Sequence, residues 1–184
     1  MASKIKVDAL ETADGTGTIA LSNQFTGMTV ASVPTLTSDK MPAGTVLQVV
    51  YGSTITQVTS TAIDTWVSSG CKASITPIST TSKILVIGNV VSQVLGSVAE
   101  KQQNHGIKRN GTLVFGNLLY DEIRINSSVN AVHGVRVPFN YVDSPNTTSS
   151  MEYDLLGSLR AGTMLYMQMS NRHASTITLM EIAG

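Results

Sequence analysis

From His133 to Ile182 the chain reads as a series of short amphipathic strands, and no other stretch constrains the fold as much. The last of them, Ser175–Ile182, alternates apolar and polar residues and is expected to lie within a sheet, because a free tail has no use for that pattern. Upstream, Val135–Val142 and Ser150–Gly157 are separated by the turn-rich Asp143-Ser-Pro-Asn-Thr-Thr148. These segments predict one sheet-built domain.

The strand signals begin much earlier. Thr45–Tyr51 is rich in β-formers, Trp66-Val67 is a short segment closed by Ser68-Ser-Gly70, and Cys71–Pro77 alternates. Lys83–Val94 is the longest apolar stretch, and its β-branched content predicts a central buried strand. Asn110-Gly111, between Gly106–Arg109 and Thr112–Phe115, is the clearest hairpin, since a type I′ turn needs positive φ at both central residues. Residues 116–131 are ambiguous, with Asn117–Ile123 able to form a helical turn, and Thr163–Ser170 alternates again. Eight to ten strands spaced roughly 8–12 residues apart predict an all-β domain over 45–184, a sandwich or a barrel. Its expected core is Val46, Val49, Ile75, Ile84, Val86, Val90, Val135, Val137, Phe139, Tyr153, Leu155, Leu165, Ile177 and Leu179.

Residues 1–44 differ in character. Lys4–Ala9 has period two and Asp14–Leu21 runs from turn residues into a second short strand, but the segment is too thin to bury a core of its own. Ile5, Val7, Leu10, Ile19, Leu21 and Phe25 are more apolar than a solvated linker requires, so the segment is read as an extended attachment arm. Backbone groups in such short strand-like pieces need partners, which strand addition to another protein supplies.

Composition excludes several function classes. The 184 residues hold twelve Lys+Arg against twelve Asp+Glu, charged residues are only 13%, and the densest basic cluster is Lys108-Arg109, so no nucleic-acid partner is expected. No apolar run approaches the ~20 residues of a membrane helix, and the N-terminus has no apolar signal region, so synthesis in a cytoplasm without membrane insertion is expected. The single Cys71 reads as a small packed residue. His105, His133 and His173 are widely spaced. Convergence on a three-fold axis would give three ligands, but the spacing fits loop or hydrogen-bonded strand histidines better.

No nucleophile elbow, phosphate loop or metalloprotease motif occurs, and the adjacent Asp121-Glu122 would point to opposite faces of a strand, so neither an enzyme nor a cofactor or metal site is expected. Asn110-Gly-Thr112, Asn126-Ser-Ser128 and Asn146-Thr-Thr148 match the glycosylation pattern at the rate that Asn, Ser and Thr content gives by chance. Met164 and Met167 lie on opposite strand faces, which leaves one of them available for a subunit contact.

Ordered blocks then carry a resemblance: Lys6-Val7-Asp8 with Leu10 and Thr12, Asp14-Gly-Thr-Gly-Thr18, Gly44–Val50, Ile75-Thr-Pro77, Ser79–Val86, Lys108–Thr112, Tyr141–Pro145 and Ser175–Ile182. In these the chain resembles tail-fibre and minor virion structural proteins of tailed phages, notably those of marine and cyanobacterial hosts. The resemblance implies that 45–184 is an all-β, two-sheet antiparallel jelly-roll sandwich forming a homotrimeric head, comparable to tumour necrosis factor and complement-type heads and joined by its N-terminal segment to other virion proteins. Only about forty residues precede the head, without a repetitive shaft, so a short fibre, a knob, a head fibre or a capsid-surface decoration all fit. A host-glycan or host-protein binding module is a further alternative, with Tyr120, Asp121, Asn126 and Asn130 as its loop candidates.

Overall fold

A computed structural model of the chain describes residues 41–96, 100–116, 123–126, 131–169 and 173–184. The chain divides into two compact units, Met1–Leu36 and Thr37–Gly184. The arm residues Ile5, Val7, Leu10, Ile19, Leu21 and Phe25 lie outside the described residues, as does the ambiguous 117–122.

The described residues build strands β1 Val46–Thr54, β2 Val58–Ser60, β3 Val67–Ile75, β4 Lys83–Gly96, β5 Glu100–Arg109, β6 Thr112–Phe115, β7 Ile123–Asn126, β8 Ala131–Asp143, β9 Met151–Ala161, β10 Met164–Met167 and β11 Ser175–Ile182. They form two sheets. The first runs β1-β11-β4-β10-β2, with β8 on the other edge of β4; the second runs β3-β9-β5-β6, with β7 also on β5. All named pairings are antiparallel and they nest: β1 with β11, β2 with β10, β3 with β9, β4 with β8, and β5 with β7. The chain is therefore a long hairpin rolled on itself, which is the jelly-roll wrap. Its inner end is the β5–β6 hairpin, where Asn110 and Gly111 take φ of 46° and 82° as the Asn-Gly signal predicts.

Period-two burial places the core between the sheets. Ile75, Ile84, Val86, Val90, Phe139, Tyr153, Leu155, Leu165, Ile177 and Leu179 are buried as expected, and Val135 and Val137 are half-buried. Cys71, Val94, Ile107, Leu159 and Met167 join them. Full burial of a large apolar side chain contributes about 1.5–3 kcal/mol, so this layer is the main stabilising element of the sandwich.

Two expectations are corrected. Val46 and Val49 are not core residues but are 50% and 57% exposed. The register of β1 against β11 shifts between Val46 and Gln48, and beyond it Val50 packs against the core while Val49 and Tyr51 point out. One extra residue in a strand exchanges its faces. Nor does Ser68-Ser-Gly70 end a segment: β3 passes through it with a register shift between Ser68 and Lys72.

The two long sides of the sandwich differ. Near β1 the sheets nearly touch, since a Cβ on Gly52 would collide with the Lys72 carbonyl oxygen. Near β8 they part around a cleft of about 300 Å³ lined by Phe115, Ile123, Arg136, Val137, Pro138 and Phe139.

Candidate functional site

Three polar constellations are built into the core, and each serves to join elements. Asp143, at the end of β8, accepts from Arg109 Nη1 and from the Tyr153 hydroxyl, both at 2.6 Å, which ties the first sheet to β5 and β9 of the second. Burial first, and then the adjacent Asp143 carboxylate, push the Tyr153 hydroxyl far above its ordinary value, so it stays a donor. Ser92 and His105 meet across the sandwich at 2.8 Å, both fully buried, and the His105 ring lies edge-on to Phe139. Glu181 faces inward at the next alternate position after Ile177 and Leu179. It accepts from Gln48 Nε2 at 2.5 Å and from the Ile78 backbone N–H at 2.7 Å, anchoring the β3–β4 connection to β11.

None of these groupings presents a reactive atom to a cleft. Among the described residues no group of three or more His, Cys, Asp or Glu is placed to hold a metal ion. Burial, followed by the Asp154 charge, raises the Cys71 thiol to about 12, so it is a packed residue and not a nucleophile. His173 is exposed, and the His133 side chain lies outside the described residues.

The outer faces of the two sheets differ in their chemistry. On the second sheet Lys72, Asp154 and Lys108 stand side by side on β3, β9 and β5. Lys72 pairs with Glu152 at 3.0 Å and lies 3.6 Å from Asp154, while Ser68 donates to Asp154 at 2.8 Å. Arg124 and Glu100 form a further pair at 3.7 Å on β7 and β5. Alternating signs on a wet surface give little stability, and this face is open to solvent near Lys72 and Glu152 but not at Asn104, Leu156 and Ser158, which lie on the same face and are buried.

On the first sheet the registers of β1, β11, β4 and β8 align side chains into continuous rows. One is Val49–Met180–Leu85–Val142; the next is Tyr51–Thr178–Ile87–Asn140; a third is Ser53–Thr176–Asn89–Pro138. None of these side chains is charged. Val49, Tyr51 and Val142 are 57%, 62% and 53% exposed, and Ile87 is exposed as well. Lys83 and Arg136 bound the rows at either end, and Arg136 is engaged with Asn89 Oδ1 at 2.8 Å and the Ala174 carbonyl. A contiguous uncharged patch of this kind is the surface feature that most needs explaining.

Sequence reasoning missed this face. Its signal is present, however, in strands that are apolar at both parities: Val49-Val50-Tyr51, Ile84-Leu85-Val86-Ile87 and Leu179-Met180. Such runs fit a strand buried on both sides as readily as one buried by the fold on one side and by a partner on the other. Of the loop candidates, Tyr120, Asp121 and Asn130 lie outside the described residues. Asn126 is exposed at the end of β7, opposite Glu100.

No family model matches the chain, and no curated protein matches it significantly. Among solved structures it is similar to chains of infectious bursal disease virus. These include the T13 viral particle, at 18% identity over 74% of this chain and 31% of that chain with a TM-score of 0.42. They also include the VP2 subviral particle, at 17% over 76% and 34% with a TM-score of 0.39, and the Gx strain, at 20% over 74% and 32% with a TM-score of 0.39. The chain spans about a third of the length of each of these proteins. Its assignment as a jelly roll rests on its own nested strand pairings.

Proposed function

We propose that the chain is a non-enzymatic structural protein of a tailed-phage virion: a short tail fibre or fibre-like appendage, with residues 1–44 as attachment arm and 45–184 as homotrimeric head. The virion reading is supported by the ordered sequence blocks shared with tail-fibre and minor virion proteins. The observation that carries the structural role is the outer face of the first sheet, uncharged along three rows and exposing Val49, Tyr51, Ile87 and Val142. Such a face fits a surface that is covered in an assembly. The polar clusters of the interior hold strands together, and a formal net charge of zero lets copies approach without mutual repulsion.

The test is immunogold electron microscopy of purified virions with antibody against the head. Label on a tail appendage is the expected result. Label spread over the capsid surface would replace the fibre reading with the decoration reading, and virions free of label would overturn the virion role.

A further inference from the structure

We propose that the pocket of about 330 Å³ beside the 79–82 turn, where the chain enters β1 and leaves β11, receives the ammonium group of a lysine side chain from a partner protein. The inference rests on the reading of residues 1–44 as an attachment arm and adds a second contact at the same end of the head.

Two independent features meet in this pocket. Hydroxyls from Ser79, Thr81 and Ser82 line one part of it, and Met41, Leu47 and Ile78 supply apolar walls. Ser79 and Thr81 satisfy each other at 3.0 Å. Ser82 is 1% exposed, and its oxygen has no hydrogen-bond partner. Behind this wall stands Glu181, whose Oε1 accepts from the Ile78 backbone N–H at 2.7 Å. Burial works to raise the Glu181 pKa, but Gln48, the nearby Ser82 hydroxyl and the backbone outweigh it, so the carboxylate is charged at neutral pH. Its donors Gln48 Nε2 and Ile78 N–H are neutral, and among the described residues no Lys, Arg or His forms an ion pair with it. Lys83 is the nearest lysine in sequence, but Ile84 is the inward residue of that pair and Lys83 points out. A buried charge with no counter-charge is one half of an ion pair.

Both unmet needs are for a positive donor. A hydroxyl oxygen keeps its lone pairs wherever its proton points, so Ser82 can accept, and Glu181 lacks a cation. An anion meets neither need. A guanidinium pairs best with both oxygens of one carboxylate, and those of Glu181 are already held by Gln48 and Ile78. An ammonium is compact, and it can give one N–H to Ser82 while its charge stands near Glu181. The apolar walls select what carries that ammonium. A metal ion gains nothing from Met41, Leu47 and Ile78, whereas a lysine stem is covered by them. Met41 is the first described residue, so the pocket lies at the end of the head that the arm joins. A protein held by the arm is therefore the one placed to present the lysine.

The probe is n-butylammonium chloride, a lysine side chain without its backbone. It is titrated into the isotope-labelled full chain, with ionic strength held constant by the bulkier tetramethylammonium chloride, and followed by NMR. Amide shifts at Ile78, Ser82 and Ala183 should saturate in the millimolar range. S82A, and separately E181Q, should weaken binding about tenfold or more, with an unchanged β spectrum by circular dichroism. n-Butanol, which has the stem without the charge, and potassium chloride, which has the charge without the stem, should leave those amides unmoved. Equal shifts with butanol would make the pocket apolar only, and equal shifts with potassium would make it a metal-ion site. Either result overturns the proposal, as does butylammonium binding that survives both substitutions, or no binding at all. Virions grown with the S82A gene should carry less of the chain than wild type. Full S82A occupancy, beside wild-type virions that carry the chain, would remove the partner's lysine. Wild-type virions without the chain would instead remove the virion reading, and the partner with it.

Discussion

Glu181 shows how one side chain can hold two parts of the fold together. Alternation along β11 carries it to the inward face, where it is fully buried. Burial alone would raise its pKa, but hydrogen bonds, chiefly from Gln48 Nε2 and the backbone N–H of Ile78, outweigh that and hold it below the ordinary glutamate value. A folded pKa below the unfolded one means that the carboxylate's contribution is complete above the unfolded value, about pH 4.3, and is lost as pH falls through the lower folded value. Glu181→Gln should therefore cost about 1–3 kcal/mol at neutral pH, and the cost should shrink in acid. Urea unfolding at pH 7 and at pH 3 would measure both; equal losses at the two pH values would mean that charge plays no part. Asp154 has the opposite sign. Burial raises its pKa despite Ser68 and Lys72, so its contribution is complete below the ordinary aspartate range and declines as pH rises through the folded value. Cys71 offers a simpler check. With its thiol raised to about 12, it should be inert to a thiol reagent at pH 8 in the folded protein and react promptly in denaturant.

At the scale of elements, the closed side of the sandwich is set by a glycine. Gly52 on β1 faces the Lys72 carbonyl on β3 so closely that a side chain has no room. Gly52→Ala should force the two edges apart and destabilise the domain by about 1–3 kcal/mol, read as a lower urea midpoint at an unchanged slope. Wild-type stability in this variant would mean that the edges are not in register contact. The same strand marks where sequence reading succeeds and stops. Strand positions followed from β-branched content and turn chemistry, and the Asn110-Gly111 hairpin from the φ values those residues tolerate. Which face of β1 is inward did not follow, because Val46, Leu47, Val49 and Val50 are apolar at both parities and the shift between Val46 and Gln48 leaves no mark in composition. Nor does period-two patterning reveal that Asp143, Arg109 and Tyr153 meet. They are brought together by β8, β5 and β9 in different sheets, and pairing between strands far apart in sequence is written only in the completed wrap.

At the scale of the molecule, the nested pairings support the proposed head over 45–184. β1 finds its neighbour in β11, and the turn before β1 is held by Gly44 N–H to the Ala183 carbonyl and Ala183 N–H to the Thr45 carbonyl, each at 2.8 Å. Among the described residues, the wrap is closed from Gly44 onward and the core is supplied by the strands that follow. The period-two pieces Lys4–Ala9 and Thr16–Leu21 are too short for a stable isolated hairpin, and Ile5, Val7, Leu10, Ile19, Leu21 and Phe25 would each contribute about 1.5–3 kcal/mol if fully buried against a partner. Lys4 and Lys6 are offset by Asp8 and Glu11, so burial and backbone pairing, more than charge, would drive that attachment. Deleting residues 2–40 should accordingly leave a head with the same β spectrum and the same oligomeric mass, but one that no longer incorporates into particles. Quantitative blotting of virions grown with the truncated gene measures the occupancy. Normal occupancy would place the attachment surface on the head and turn the fibre reading into one of surface decoration.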